Sequence, residues 1–142
     1  MNSGPRPLIY KEFFMAFEIT VINGVWAGGA TISKSNKYSG SLQTRLSETV
    51  ANPSTNAEID ISLDVAALQA LFMVSSQNVT LKTNNSGTPD NTIELVANKP
   101  YEWDIASYNA CLLTANVSKF YVTNSSGKDA TLQLEAVLNA IP

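Results

Sequence analysis

Apolar and polar residues alternate with a period of two along most of this chain, the pattern of strands buried on one face. It is clearest over residues 58–63, where Ile59, Ile61 and Leu63 share one face and Glu58, Asp60 and Ser62 the other. The same spacing predicts a first strand with Phe17, Ile19 and Val21 on one face, ending at the turn signal Asn23-Gly24. Residues 41–50 read as a strand with Leu42 and Leu46 on one face, broken by the Asn-Pro-Ser-Thr-Asn run at 52–56. Further strands are predicted over residues 71–75, 78–83, 92–97, 101–104, 119–124 and 130–138. Their inward positions Val79, Leu81, Ile93, Leu95, Val122, Leu132 and Leu134 join Ile59, Ile61 and Leu63 in one predicted core.

The segments between these strands carry their own signals. Ser62 or Asp64 can cap a single helical turn over residues 65–68. Trp26 and the Gly28-Gly29 pair suggest a bulge or bend within residues 25–33. Residues 84–91 are a loop by composition, and residues 105–117 read as a crossing loop with room for one helical turn. The stretches 72–81 and 120–134 resemble each other, and each reads as a hairpin, turning at 76–77 and at 125–129. Eight to ten short strands spaced about ten residues apart predict an all-β fold. The expected architecture is an antiparallel β-sandwich, with the jelly roll as one candidate arrangement.

Composition sharpens this picture mainly by exclusion. The 142 residues suit one domain, with residues 16–142 as the sandwich and residues 1–15 as a separate segment. Hydrophobic residues make up 44% and charged residues only 15%, while 41 residues are Ser, Thr or Asn, so a normal core lies under an uncharged polar surface. The net charge of −3 and the scattering of nine basic residues argue against a nucleic-acid partner. No apolar run approaches the length of about 20 residues that spans a bilayer, so no membrane partner is expected. The chain has no histidine and a single cysteine. That removes the imidazole-based nucleophile systems and the usual zinc sites. The expectation is therefore a protein that is not an enzyme and has no catalytic residues, no metal and no cofactor. Cys111 reads as a small buried apolar residue that cannot form an intrachain disulfide. Four Asn-x-Ser/Thr sequons, at Asn78, Asn84, Asn116 and Asn124, are expected by chance in such a composition.

Two carboxylate groupings invite a chemical reading. Glu102 and Asp104 flank Trp103 as the paired carboxylates of a sugar site do, but Trp inward with acids outward is the ordinary arrangement on an antiparallel sheet. Asp60, Ser62 and Asp64 resemble half of a calcium loop, yet the glycine and terminal glutamate are missing and Ile61 and Leu63 make the segment a strand. Aromatic side chains near turns are stronger candidates, because they bury large areas at small entropic cost. The candidate interface set is Tyr10, Phe13, Phe14, Trp26, Tyr38, Tyr101 and Tyr108. Trp26, Tyr101 and Trp103 could instead serve as stacking platforms of a carbohydrate- or surface-binding module on a fibre or adhesin.

Residues 1–15 stand apart, with two of the six prolines and no alternation before the clean start at Met15. Two readings remain open. Residues 11–15 can be encoded by a purine-rich ribosome-binding sequence followed by a start codon at Met15, which would make the segment a translated leader. Alternatively it is an extended arm that reaches a neighbouring subunit through Ile9, Tyr10, Phe13 and Phe14.

Residues 59–139 carry a recognisable series of patterns: I-D-I-S-L-D-V-A-A-L at 59–68, V-S-S-Q-N-V-T-L-K-T-N at 74–84, S-G-T-P-D-N-T-I at 86–93 and Y-V-T-N-S-S-G at 121–127. The series resembles short β-rich proteins of tailed bacteriophages and prophages, encoded near the major capsid gene. The resemblance implies a head decoration (cement) protein, a β-sandwich or jelly roll. Such a protein forms a homotrimer on the outer surface of the virion, is made in the bacterial cytoplasm, and has the major capsid protein as its partner. No catalytic motif is part of the pattern.

Overall fold

The computed structural model describes residues 17–23 and 34–139. These form ten strands: β1 (Phe17–Asn23), β2 (Lys34–Gly40), β3 (Leu42–Val50), β4 (Ser54–Leu63), β5 (Leu68–Ser75), β6 (Val79–Thr83), β7 (Thr92–Leu95), β8 (Tyr101–Asp104), β9 (Val117–Asn124) and β10 (Ala130–Leu138). One sheet has the order β3-β10-β5-β8 and the other β4-β9-β6-β7, and every neighbouring pair is antiparallel. From β3 onward the chain changes sheet at each connection except β6 to β7. That winding is the double Greek key of the jelly roll, which places the protein among the all-β sandwiches.

The alternation in the sequence explains the layering. Leu71 and Met73 of β5 and Leu132, Leu134 and Ala136 of β10 face Leu81 of β6, Ile93 and Leu95 of β7, and Phe120 and Val122 of β9 across one buried core. The ten positions predicted to share one core all lie in or against it. Of the pair assigned to one face of residues 41–50, Leu46 packs against the core and Leu42 is exposed; the side chains of Phe17, Ile19 and Val21 lie outside the described residues. Ile59 and Ile61 are only half-buried, because β4 is an edge strand with no neighbour on one side among the described residues. Asp64 caps the single turn after β4, a 3-10 turn over Val65–Ala67, by accepting a hydrogen bond from the Ala66 amide at 3.1 Å.

Several local expectations need correction. Neither predicted hairpin forms. β5 and β6 lie in different sheets, as do β9 and β10, so residues 76–78 and 125–129 are arches that cross the sandwich. The two segments look alike because both have to turn inward-facing residues over to the opposite layer. The arches are themselves neighbours: the Ser76 amide donates to the Thr131 carbonyl at 3.0 Å, and the Thr131 amide donates to Ser76 Oγ at 2.8 Å. β4 begins at Ser54 instead of residue 58, absorbing the polar run through Asn56, whose positive φ of 53° accompanies a register shift in the ladder. Residues 105–116 contain turns and no helix. Lys34–Gly40, unassigned from the sequence, is a strand paired with β1, which places Tyr38 opposite Ile19 within a ladder and not beside a turn.

The β1–β2 hairpin lies against β10 and β5. Gly40 makes this possible, since a Cβ there would overlap the Leu138 carbonyl oxygen and come within 2.8 Å of Val137 Cγ1. At the opposite corner Asn124 is fully buried. Its Nδ2 donates to the Val50 and Lys128 carbonyls at 3.0 and 2.9 Å, and its Oδ1 accepts from the Ser126 amide at 3.1 Å. One side chain thus ties the end of β3 to the β9–β10 arch. Residues 1–16, including the arm-or-leader segment, and residues 24–33, with the expected bulge at Gly28-Gly29, lie outside the described residues.

Candidate functional site

The connection from β8 to β9, residues 105–116, carries three of the five exposed large apolar side chains among the described residues, Ile105, Tyr108 and Leu112, with the Tyr108 ring fully in solvent; the other two, Leu42 and Val96, lie elsewhere. Exposure of this kind normally accompanies a loose loop, but this loop is fastened along its length. Leu113 is sunk in the core and Cys111 packs against it. At the near end the Ile105 amide donates to the Gln69 carbonyl at 2.9 Å, and the Ala106 amide donates to Asp104 Oδ1 at 2.8 Å. Trp103 Nε1 donates to the Asn109 carbonyl at 3.0 Å, and the Leu112 amide donates to the Tyr101 hydroxyl at 3.0 Å. At the far end the Thr114 amide donates to Asn91 Oδ1 at 3.0 Å while Asn91 Nδ2 returns a bond to Thr114 Oγ1 at 2.9 Å. The result is a rigid crest. A held loop loses little entropy when its apolar side chains are covered, which is what an interface anchor needs.

This geometry separates the aromatic candidates. Tyr101 and Trp103 pair with Met73 and Leu71 in the β5–β8 ladder and pack, partly buried, against the core beneath the crest. Burial pushes the Tyr101 phenol above its usual value of 10.0, and the adjacent Cys111 adds to the rise against the opposing bond from Leu112. Tyr108 stands free on the crest. Tyr38 is in β2, and Tyr10, Phe13, Phe14 and Trp26 lie outside the described residues. Ile105 and Leu112 were missed in the sequence because a loop without periodicity does not reveal which residues point outward.

The acidic groupings do not converge on a reaction centre. Glu102 faces solvent and Asp104 is engaged in capping the turn that follows it. Lys119 makes ion pairs with Glu58 at 3.3 Å and Asp60 at 3.6 Å across the β4–β9 ladder. Among the described residues no three His, Cys, Asp or Glu side chains come together in a metal-binding group.

The solvent face of the β3-β10-β5-β8 sheet forms a second feature. The ladders align Arg45, Glu135, Phe72 and Glu102 in one row across the four strands, with Ser47, Gln133 and Val74 in the next row. An open groove of about 410 Å³ lies over Phe72, between Arg45, Ser47, Gln133 and Glu135. The sequence carried a signal for it: if Leu71 and Met73 face in, Phe72 must face out.

Searches of family models, curated proteins and solved structures found no match to this chain.

Proposed function

We propose that the protein is a head decoration (cement) protein of a tailed bacteriophage, binding the outer capsid surface and holding neighbouring capsid subunits together. The observation that carries this reading is the β8–β9 crest, where Ile105, Tyr108 and Leu112 are exposed on a loop immobilised from both ends. The patterns at 59–68, 74–84, 86–93 and 121–127, with their resemblance to phage proteins, point the same way. Jelly rolls serve as viral capsid and lectin domains, so the fold is compatible with the role without selecting it. In this reading the protein is a homotrimer that adds to an assembled head. Its partners are the major capsid protein and other copies of itself, and it contributes no chemistry. Tyr108 is the central anchor of the capsid contact. The test is co-sedimentation of purified protein with heads of the phage that encodes it, together with a protein inventory of the virion. Saturable binding at a fixed copy number per capsid hexamer is expected, and absence of the protein from purified virions would refute the reading.

A further inference from the structure

We propose that the solvent face of the β3-β10-β5-β8 sheet holds a binding site for a neutral oligosaccharide, seated on the Phe72 ring. The ring lies on the central strand β5, half-buried beneath an open groove of about 410 Å³. Its neighbours include a bonded cluster of planar groups, Gln43, Arg45 and Glu135. Glu135 Oε1 accepts from Gln43 Nε2 at 2.7 Å, from Arg45 Nη2 at 2.8 Å and from Arg45 Nε at 3.1 Å. Gln133 and Ser47 complete the rim, offering both donors and acceptors.

This chemistry selects among ligand classes. The Arg45 charge is already matched by Glu135, so the groove offers an anion no net positive charge. A purely apolar ligand would bury the rim groups without satisfying them, at a cost that sites of this kind avoid. A pyranose presents a C–H face for the ring and a belt of hydroxyls for amide, guanidinium and carboxylate partners. The seat is rigid, because β10 and β5 are each paired on both sides. The groove is bounded at one end, where the β1–β2 hairpin meets the sheet at Gly40 and Val137, and Val137 and Ala70 are buried. An extended sugar chain therefore enters from the Ser47 and Gln133 side. No residue of the β8–β9 crest lines the groove, and the site does not depend on capsid binding.

The test is a titration of isotopically labelled protein with cellohexaose, chitohexaose and mannohexaose in turn, read from backbone amide shifts. At least one of the three should move the amides of Arg45, Ser47, Phe72 and Gln133 together while those of the crest stay still. Phe72→Ala should weaken that binding about tenfold or more, and Phe72→Tyr should retain it. Gln133→Ala, at an exposed position that carries no core contact, should also weaken it, so the proposal remains testable if Phe72→Ala fails to fold. The proposal is overturned if none of the sugars moves these amides at about 10 mM, a concentration that would reveal even millimolar affinity. It is equally overturned if the shifts map elsewhere, if a sulfated hexasaccharide binds this groove in preference, or if the Phe72 and Gln133 variants bind as the wild type does. Capsid co-sedimentation of Phe72→Tyr and Gln133→Ala should be unchanged, which keeps this outcome separate from the decoration reading.

Discussion

Asn124 and Tyr101 show what single residues contribute beyond apolar burial. Asn124 donates to the Val50 carbonyl in the interior and, together with Ser126 Oγ, to the Lys128 carbonyl, and it accepts from the Ser126 amide. Asn124→Ala should lower stability by about 1–3 kcal/mol, since it takes a donor from the buried Val50 carbonyl and an orphaned buried group costs about that much; urea unfolding measures it. Tyr101 makes stability depend on alkaline pH. Burial, and after it Cys111, raises its phenol above 10.0, so the folded chain holds this proton more tightly than the unfolded chain does. The contribution is fully present below the unfolded value and is lost as pH rises through the folded value. Tyr101→Phe should therefore show a flatter fall in stability above about pH 10 than the wild type, at the expense of the bond to the Leu112 amide. An unchanged slope would mean that Tyr101 titrates alike in both states.

Among the strands, position in the sheet decides how much a core residue contributes. Leu134 lies on β10, flanked on both sides, and Leu134→Ala should cost about 2–5 kcal/mol. Ile61 sits half-buried on the β4 edge, and Ile61→Ala should cost about 1–2 kcal/mol, because solvent already reaches part of its side chain. Gly40→Ala should cost about 1–3 kcal/mol by forcing the β1–β2 hairpin away from Leu138, whereas Gly87→Ala, with 3.5 Å to the nearest atom, should be mild. These elements also mark how far the sequence was legible. Strand positions and inward faces followed from a period of two, since alternation is imposed locally by the pleat. Sheet membership did not, because a hairpin turn and a sandwich arch use the same Ser, Asn and Gly residues, and only the far side of the core distinguishes them. The crest was illegible for a similar reason. Tyr108 stood out as a turn-adjacent aromatic, but its partners Ile105 and Leu112 are sorted outward only by hydrogen bonds to Gln69, Tyr101 and Asn91, residues distant in the chain.

For the whole molecule, the decoration reading makes binding and stability separable. Tyr108→Ala removes a side chain that contacts no core, so unfolding should shift by no more than about 0.5 kcal/mol. The same change should weaken capsid binding by about 2 kcal/mol or more, as for a central aromatic anchor. With 15% charged residues and a net charge of −3, electrostatic steering is a small term. Capsid affinity should therefore change less than about threefold between roughly 50 and 500 mM salt, a range that strongly screens surface charge pairs.

The load that a cement protein opposes comes from the packaged genome, so the most direct measurement is the temperature at which filled heads release DNA, with and without this protein. Heads lacking it should be intact when empty yet release DNA at a lower temperature once filled, and adding back wild-type protein, but not Tyr108→Ala, should restore the higher temperature. Identical release temperatures for complete and deficient heads would contradict the account.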